Sequence, residues 1–290
     1  MRPTPNGLAT ALLLAPATLL FAALALYPLS RVLALSTVQT DYGFDGAVFI
    51  GWDNYAWLFE TSGFRTAGWN TLVFALSATA AEVTLGLALA LLFAGPVPGR
   101  RILIALLLAP YVLATLVVTA IWRAWFHFEL GFLNGWMAEL GLAPVRWLID
   151  PDLALWSLVL VDLWQTAPFA FLILLAGLQS IPRELIDAAR VDCASRFAIF
   201  RDITLPLMMP YILLAALLRL VDSFKIFDKV YALTGGGPGR ATETLSMHVY
   251  RLGFKFFDIG LASAASVVMI ALAGVLALVS ARGLLAEGRR

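Results

Sequence analysis

An all-helical, polytopic membrane protein with six spans is the fold class this sequence predicts, on three observations. Its 290 residues are 61% hydrophobic and 13% charged, with a mean hydropathy of +0.87, far too apolar for a water-soluble domain to hide. Six runs reach the roughly 20 residues that a helix needs to cross the hydrocarbon core: Leu8 to Leu29, Leu72 to Phe93, Ile102 to Trp122, Leu153 to Leu178, Leu207 to Phe227 and Leu261 to Val279. None shows the two-residue alternation of a barrel strand, and in lipid only helices and closed barrels satisfy their own backbone.

The first run, taken as a helix over 8–30, follows Arg2 and is rich in Ala and Leu, like a secretory signal. It continues to Tyr27 and Pro28 without a small-residue cleavage site, so a retained helix is expected. The remaining spans lie in a core over 69–284, and no linker or soluble insertion divides the chain, which is read as one membrane domain over 1–290. Arginines set the orientation. Arg100 and Arg101, the four arginines from Arg183 to Arg201, and Arg282, Arg289 and Arg290 belong on the inner side, with both termini. The loops Thr37 to Gly68 and Phe126 to Asp152 carry only Arg65 and Arg146, and their Trp and Tyr residues suit an outer interfacial belt. Arg240, Arg251 and Lys255 in the last outer loop go against the rule.

Between the fourth and fifth spans a charged segment, 180–206, interrupts the apolar runs. Ser180, Pro182 and Glu184 read as a helix start, with the acid favouring the helix dipole, and the helix is expected to run to about Ala194. Ser195 caps a second helix that places Phe197, Phe200, Ile203 and Thr204 on one face, and Pro206 is expected to close it before the next span. Two short helices joined by a turn form a compact elbow.

The residues of this elbow carry a resemblance. Glu184, Ala188, Ala189, Asp192 and Leu205-Pro206 resemble the EAA loop of ATP-binding-cassette importer permeases. FIGWDNY before the second span, WQTAPFAFLILLAGLQSIP, FDKVYALTGGGP, ATETLSMHVY and the GLASAAS run from Gly260 are similar to the carbohydrate-uptake branch, which includes permeases for maltose, trehalose and glycerol phosphate. The likeness extends from Ala15 to Leu284. It implies the type I importer permease fold with a cytoplasmic coupling helix, a second homologous permease, a dimeric cytoplasmic ATPase that carries ATP and magnesium, an extracytoplasmic solute-binding protein, and a carbohydrate as the solute. The coupling contact would be made by Glu184, Ala188, Ala189, Asp192, Cys193, Ala194, Phe197 and Phe200. Cys193 stands where the family usually has Gly. The turn there is therefore either reshaped or strained, since a left-handed non-glycine residue costs on the order of 1–2 kcal/mol.

Charges inside spans are expensive and point to a cavity or a partner. Arg219, Asp222, Lys225 and Asp228 recur every third residue. One reading has them pair with one another near the outer interface; the other puts Arg219, Asp222 and Ser223 on the wall of a solute path. The fourth span supplies a facing wall with Asp162, Trp164, Gln165, Thr166, Phe169 and Phe171, where Pro168 interrupts the backbone ladder. The resemblance to the maltose permease places solute contacts at Asp162, Thr166, Phe169, Phe171, Arg219, Asp222, Ser223 and Ile226, in residue types that differ enough for the identity of the solute not to carry over. Glu82 is read as a packing residue that finds a partner.

Other chemistries are not supported by the sequence. The run Gly235 to Gly239 lacks the Lys and hydroxyl of a phosphate loop and reads as an outer turn. A lone Cys193 gives neither a disulfide nor metal-ligand spacing. His127 and His248 stand in no catalytic spacing, so no catalytic residue, no metal and no cofactor bound by this chain is expected. No nucleic-acid partner is expected, and membrane lipid surrounds the spans. A secondary transporter driven by an ion gradient is the alternative, and it would need no docking elbow.

Overall fold

A computed structural model of the chain describes residues 7–40 and 46–287; Arg2, Arg289 and Arg290 lie outside them. In chain order the elements are α1 (Gly7–Leu35), β1 (Val38–Gln39), β2 (Val48–Phe49), α2 (Asp53–Glu60), α3 (Ser62–Ala94), α4 (Arg100–Val112), α5 (Thr115–Trp125), α6 (Phe132–Glu139), α7 (Pro151–Ser180), α8 (Arg183–Val191) and α9 (Arg196–Ile199). A π-helical turn (Phe200–Thr204) leads into α10 (Leu205–Phe224), followed by α11 (Asp228–Leu233), α12 (Leu245–Tyr250), a second π turn (Arg251–Lys255) and α13 (Ile259–Glu287). Five helical stretches have the length and apolarity to cross a bilayer, and the bent pair α4 and α5, taken as one crossing, makes the sixth.

The described residues fall into two compact units, one within Met1–Thr61 and Val249–Ile270 and the other within Ser62–His248 and Ala271–Arg290. In the first, α1 presents Leu13, Leu19, Phe21 and Tyr27 outward, as a lipid-facing helix does. Asn54, from the FIGWDNY motif, is buried and donates from Nδ2 to the carbonyls of Ser36 (3.0 Å) and Val38 (2.9 Å). It thereby ties α2 to the end of α1 and to β1, which pairs antiparallel with β2. Gly260 packs so closely on the Val38 carbonyl that no β-carbon fits there.

The second unit is built around α3, α7 and α10. On α3 the buried residues Phe64, Ala67, Thr71, Ala75, Ala78, Glu82, Gly86, Ala90 and Phe93 recur three or four apart, so they share one face. Most are small, which lets α7 approach closely. A β-carbon on Gly86 would lie 2.9 Å from the Phe171 backbone nitrogen. α7 begins where the sequence favours it, with the Asp150 side chain accepting from Asp152 N–H at 2.9 Å and Pro151 in the first turn. Phe93 meets Phe171 edge to face at 5.6 Å, and Leu174 and Met208 complete this core.

The third span departs from expectation. Instead of one helix over Ile102 to Trp122, α4 and α5 meet at 94°, with Leu113 and Ala114 extended between them. The carbonyl that this break frees on Leu113 is taken by Gln165 Nε2 at 3.1 Å, a partner 52 residues away. The glycine run forms a turn, as its composition suggested. Gly235, Gly236 and Gly239 all have positive φ, and Thr242 Oγ1 donates to the Gly237 carbonyl across it at 2.6 Å.

Candidate functional site

Four helices of the second unit bring buried charges to one place. Arg219 on α10 donates from Nε to Glu82 on α3 at 2.5 Å, and from Nη2 to Glu82 Oε1 (3.3 Å), Asp162 Oδ2 (3.4 Å) and Ser223 Oγ (3.3 Å). Asp162 on α7 also binds Lys229 in the first turn of α11. The Thr166 hydroxyl lies 2.6 Å from Glu82 Oε1 and 2.5 Å from the Asp162 carbonyl, and its single proton serves one acceptor at a time. Asp162 with Thr166, and Arg219 with Ser223, are each four apart on a helix and so share a face. Glu82, Asp162, Arg219 and Lys229 are all buried, and in a medium of low dielectric such charges persist only when they are paired and hydrogen-bonded. The network thus ties α3, α7, α10 and α11 together.

A cleft of about 340 Å³ opens beside the network. It gathers six of the expected path residues, Asp162, Thr166, Arg219, Asp222, Ser223 and Ile226, together with Thr115 at the amino end of α5. Three others point elsewhere. Gln165 holds the Leu113 carbonyl, Phe169 stacks on Tyr111 at 5.6 Å, and Phe171 is fully buried in the core against Phe93. The stripe of charges is also shorter than its spacing suggested. α10 ends at Phe224 with Lys225 as its cap, so Asp228 belongs to the next helix. Pairing within the stripe is limited to Arg219 with Asp222 (3.6 Å) and Asp222 with Lys225 (3.0 Å). Glu82 does find its partner, and that partner is the central arginine. Lys229 lay unremarked in FDKVYALTGGGP, and only the fold brings it to Asp162.

The elbow lies between α7 and α10. Ser180 closes α7 instead of opening α8: its Oγ donates to the Gly177 carbonyl at 2.7 Å and meets the Tyr211 hydroxyl at 2.9 Å. Pro182 is the residue before α8 rather than part of its first turn. α8 ends in a Schellman turn, with Ala194 N–H on the Ala189 carbonyl (2.9 Å) and Cys193 N–H on that of Arg190 (3.0 Å). Cys193 therefore occupies the position that glycine favours, with φ 57°. Of the two readings of this turn, the strained one is what the backbone adopts. Cys193→Gly is expected to stabilise the turn by about 1 kcal/mol, read as about fivefold slower hydrogen exchange at the Ala194 amide; unchanged exchange would show that the cysteine bears no strain.

Ser195 caps α9 as expected, accepting from Ala198 N–H at 3.2 Å. Pro206 does not close this helix. The backbone widens into the π turn, where Leu205 N–H reaches back to the Phe200 carbonyl, and helix continues into α10. A proline ring collides with the carbonyl four residues before it, and a wider turn relieves that collision. Glu184, Ala188, Asp192, Cys193 and Phe197 are exposed, and Ala189, Ala194 and Phe200 are partly covered. Leu185, Val191 and Phe197 leave an apolar surface on the elbow that the chain does not cover.

Comparison with known proteins bears on the family and the fold. Residues 82–286 match the family model described as binding-protein-dependent transport system inner membrane component. The chain is 38% identical over 227 residues to the trehalose/maltose transport system permease protein of Thermococcus litoralis, covering 77% of this chain and 76% of the relative. It is 37% identical over 269 residues to the sulfoquinovosyl glycerol transport system permease protein of Agrobacterium fabrum, covering 92% and 87%. In fold it is similar to a chain of the bacterial alginate ABC transporter crystallised with an alginate-bound periplasmic protein, at a TM-score of 0.83 and 22% identity, over 93% of this chain and 92% of that one. The family model covers more than two thirds of the sequence, including the cleft and the elbow, and the chain belongs to the inner membrane components of binding-protein-dependent transport systems.

Proposed function

We propose that this chain is the membrane-spanning permease subunit of an ATP-driven importer that moves a carbohydrate, whether sugar, oligosaccharide or polyol, without changing it. The observation that carries the reading is one continuous helical stretch, α9 through α10, with an uncovered apolar elbow at one end and the polar cleft at the other. An exposed amphipathic elbow suits docking by a soluble subunit. A cleft of carboxylates, hydroxyls and cations suits a solute rich in hydroxyl groups. The names of the trehalose/maltose and sulfoquinovosyl glycerol relatives support the same class of solute.

In this reading a second, homologous permease completes the pore, and a dimeric cytoplasmic ATPase binds ATP and magnesium. An extracytoplasmic binding protein delivers the solute. The protein lies in a prokaryotic inner membrane, with both termini and the elbow on the cytoplasmic side. ATP closes the ATPase pair, the elbow moves with it, and the cleft turns outward; hydrolysis resets it. A change of state is driven only by differential affinity for the two states. The test is import into proteoliposomes holding the whole transporter. Uptake of labelled trehalose, or of another sugar from a carbohydrate panel, is expected only with ATP on the ATPase side and a loaded binding protein opposite. Uptake by this chain alone on an ion gradient, without ATP, would establish a secondary transporter instead.

A further inference from the structure

Every cation lining the cleft is already engaged. Arg219 is held by Glu82, Asp162 and Asp222, Lys229 by Asp162, and Lys225 by Asp222. Asp228 lines the same space, and no cation among the described residues pairs with it. What the wall offers a solute is therefore the carboxylate of Asp228, beside that of Asp222, which is already shared by Arg219 and Lys225, and hydroxyl at Ser223 and Thr115.

We propose that this cleft admits uncharged polyhydroxyl solutes and turns away anionic ones; the proposal rests on the reading of the cleft as the path of a carbohydrate. Sugar hydroxyls donate to carboxylates in charge-assisted hydrogen bonds. An anion meets the Asp228 carboxylate with no cation among the described residues to offset it, and repulsion of this kind is an effective basis for rejection. To reach Arg219 or Lys229 it would have to displace Asp162, leaving a buried carboxylate without its counter-ion. Family membership alone does not decide the matter, because the chain's relatives are named for both neutral and acidic solutes: trehalose and maltose in one, sulfoquinovosyl glycerol in another, and alginate in the structural neighbour.

The test is binding of four probes, trehalose, maltose, a glucuronic-acid disaccharide and an alginate trisaccharide, to the assembled permease pair and ATPase in detergent. The binding protein is left out so that its own selectivity does not enter, and weak affinities are read by saturation-transfer NMR. The neutral sugars are expected to bind at least tenfold tighter than the acidic ones. Asp228→Lys is expected to shift that ratio at least tenfold towards the acidic sugars, and Asp228→Asn by a smaller factor; Asp228 is exposed, so both variants should assemble, as co-purification with the ATPase will verify. Acidic sugars binding as well as neutral ones, or a ratio indifferent to Asp228→Lys, would overturn the proposal while leaving carbohydrate import intact. Binding of none of the four would overturn the carbohydrate reading, and the charge selectivity with it.

Discussion

Replacing Glu184 with lysine is expected to lower ATP-driven uptake by about a hundredfold while the permease still folds and inserts. Glu184 is an exposed residue in the first turn of α8, so reversing its charge has little to disturb inside the chain. Where the elbow docks on an ATPase as proposed, the same reversal puts a cation where the partner meets an acid, and like-charge contacts across an interface cost several kcal/mol. A hundredfold loss requires only about 2.7 kcal/mol. Asp192→Lys, at the far end of the same helix, is expected to behave alike. The measurements are co-purification of the ATPase, uptake in proteoliposomes, and affinity for the binding protein. The first two should collapse and the third stay near wild type. Normal uptake in both variants would remove the elbow from the coupling path.

The second large effect is on stability. Arg219→Ala is expected to cost about 3–5 kcal/mol, because it leaves Glu82 and Asp162 buried with Lys229 as their one remaining cation. Thermal unfolding of the purified protein in detergent, with the yield of folded material, reads the loss. Burial of an ion pair is itself expensive, so removing both charges of the central pair is milder than removing one. The double variant Glu82→Gln with Arg219→Met is therefore expected to recover most of the stability, and its departure from the sum of the Glu82→Gln and Arg219→Met single variants measures the coupling. An Arg219→Ala protein that melts like wild type would mean that the network holds nothing together.

Much of this architecture was legible because lipid imposes simple rules. Apolar length marked the spans, and the elbow announced itself by charge, by the Ser195 cap and by its likeness to the EAA loop. Helix geometry could have gone further. At 100° per residue, Thr166 falls 40° from Asp162 around α7 while Phe171 falls on the opposite side, which is why one reaches the cleft and the other the core. The right-angled break at Leu113 was only faintly marked. Leu113 and Ala114 are ordinary helix formers, Pro110 inside α4 is the one local mark and stands three residues before the bend, and the contact that accommodates the bend comes from Gln165, far along the chain. Lys229 was hidden for the same reason. Its pairing with Asp162 exists only because α10 stops at Phe224 and α11 turns back beside α7. The end of α10 itself has no local mark, since the Lys225, Ile226 and Phe227 that follow would also continue a helix.

The π turn has a mechanical corollary. A proline at 206 might have served as a knuckle, letting the elbow swivel while the span stayed put. With one wide coil absorbing the ring, helix runs on from α9 into α10, and about 22 residues at 1.5 Å each put Arg219 roughly 33 Å from Phe197, with Pro210 on the way. A twist applied at the foot of that stretch then has one remaining place to give before it reaches the guanidinium at the head, the turn around Pro210.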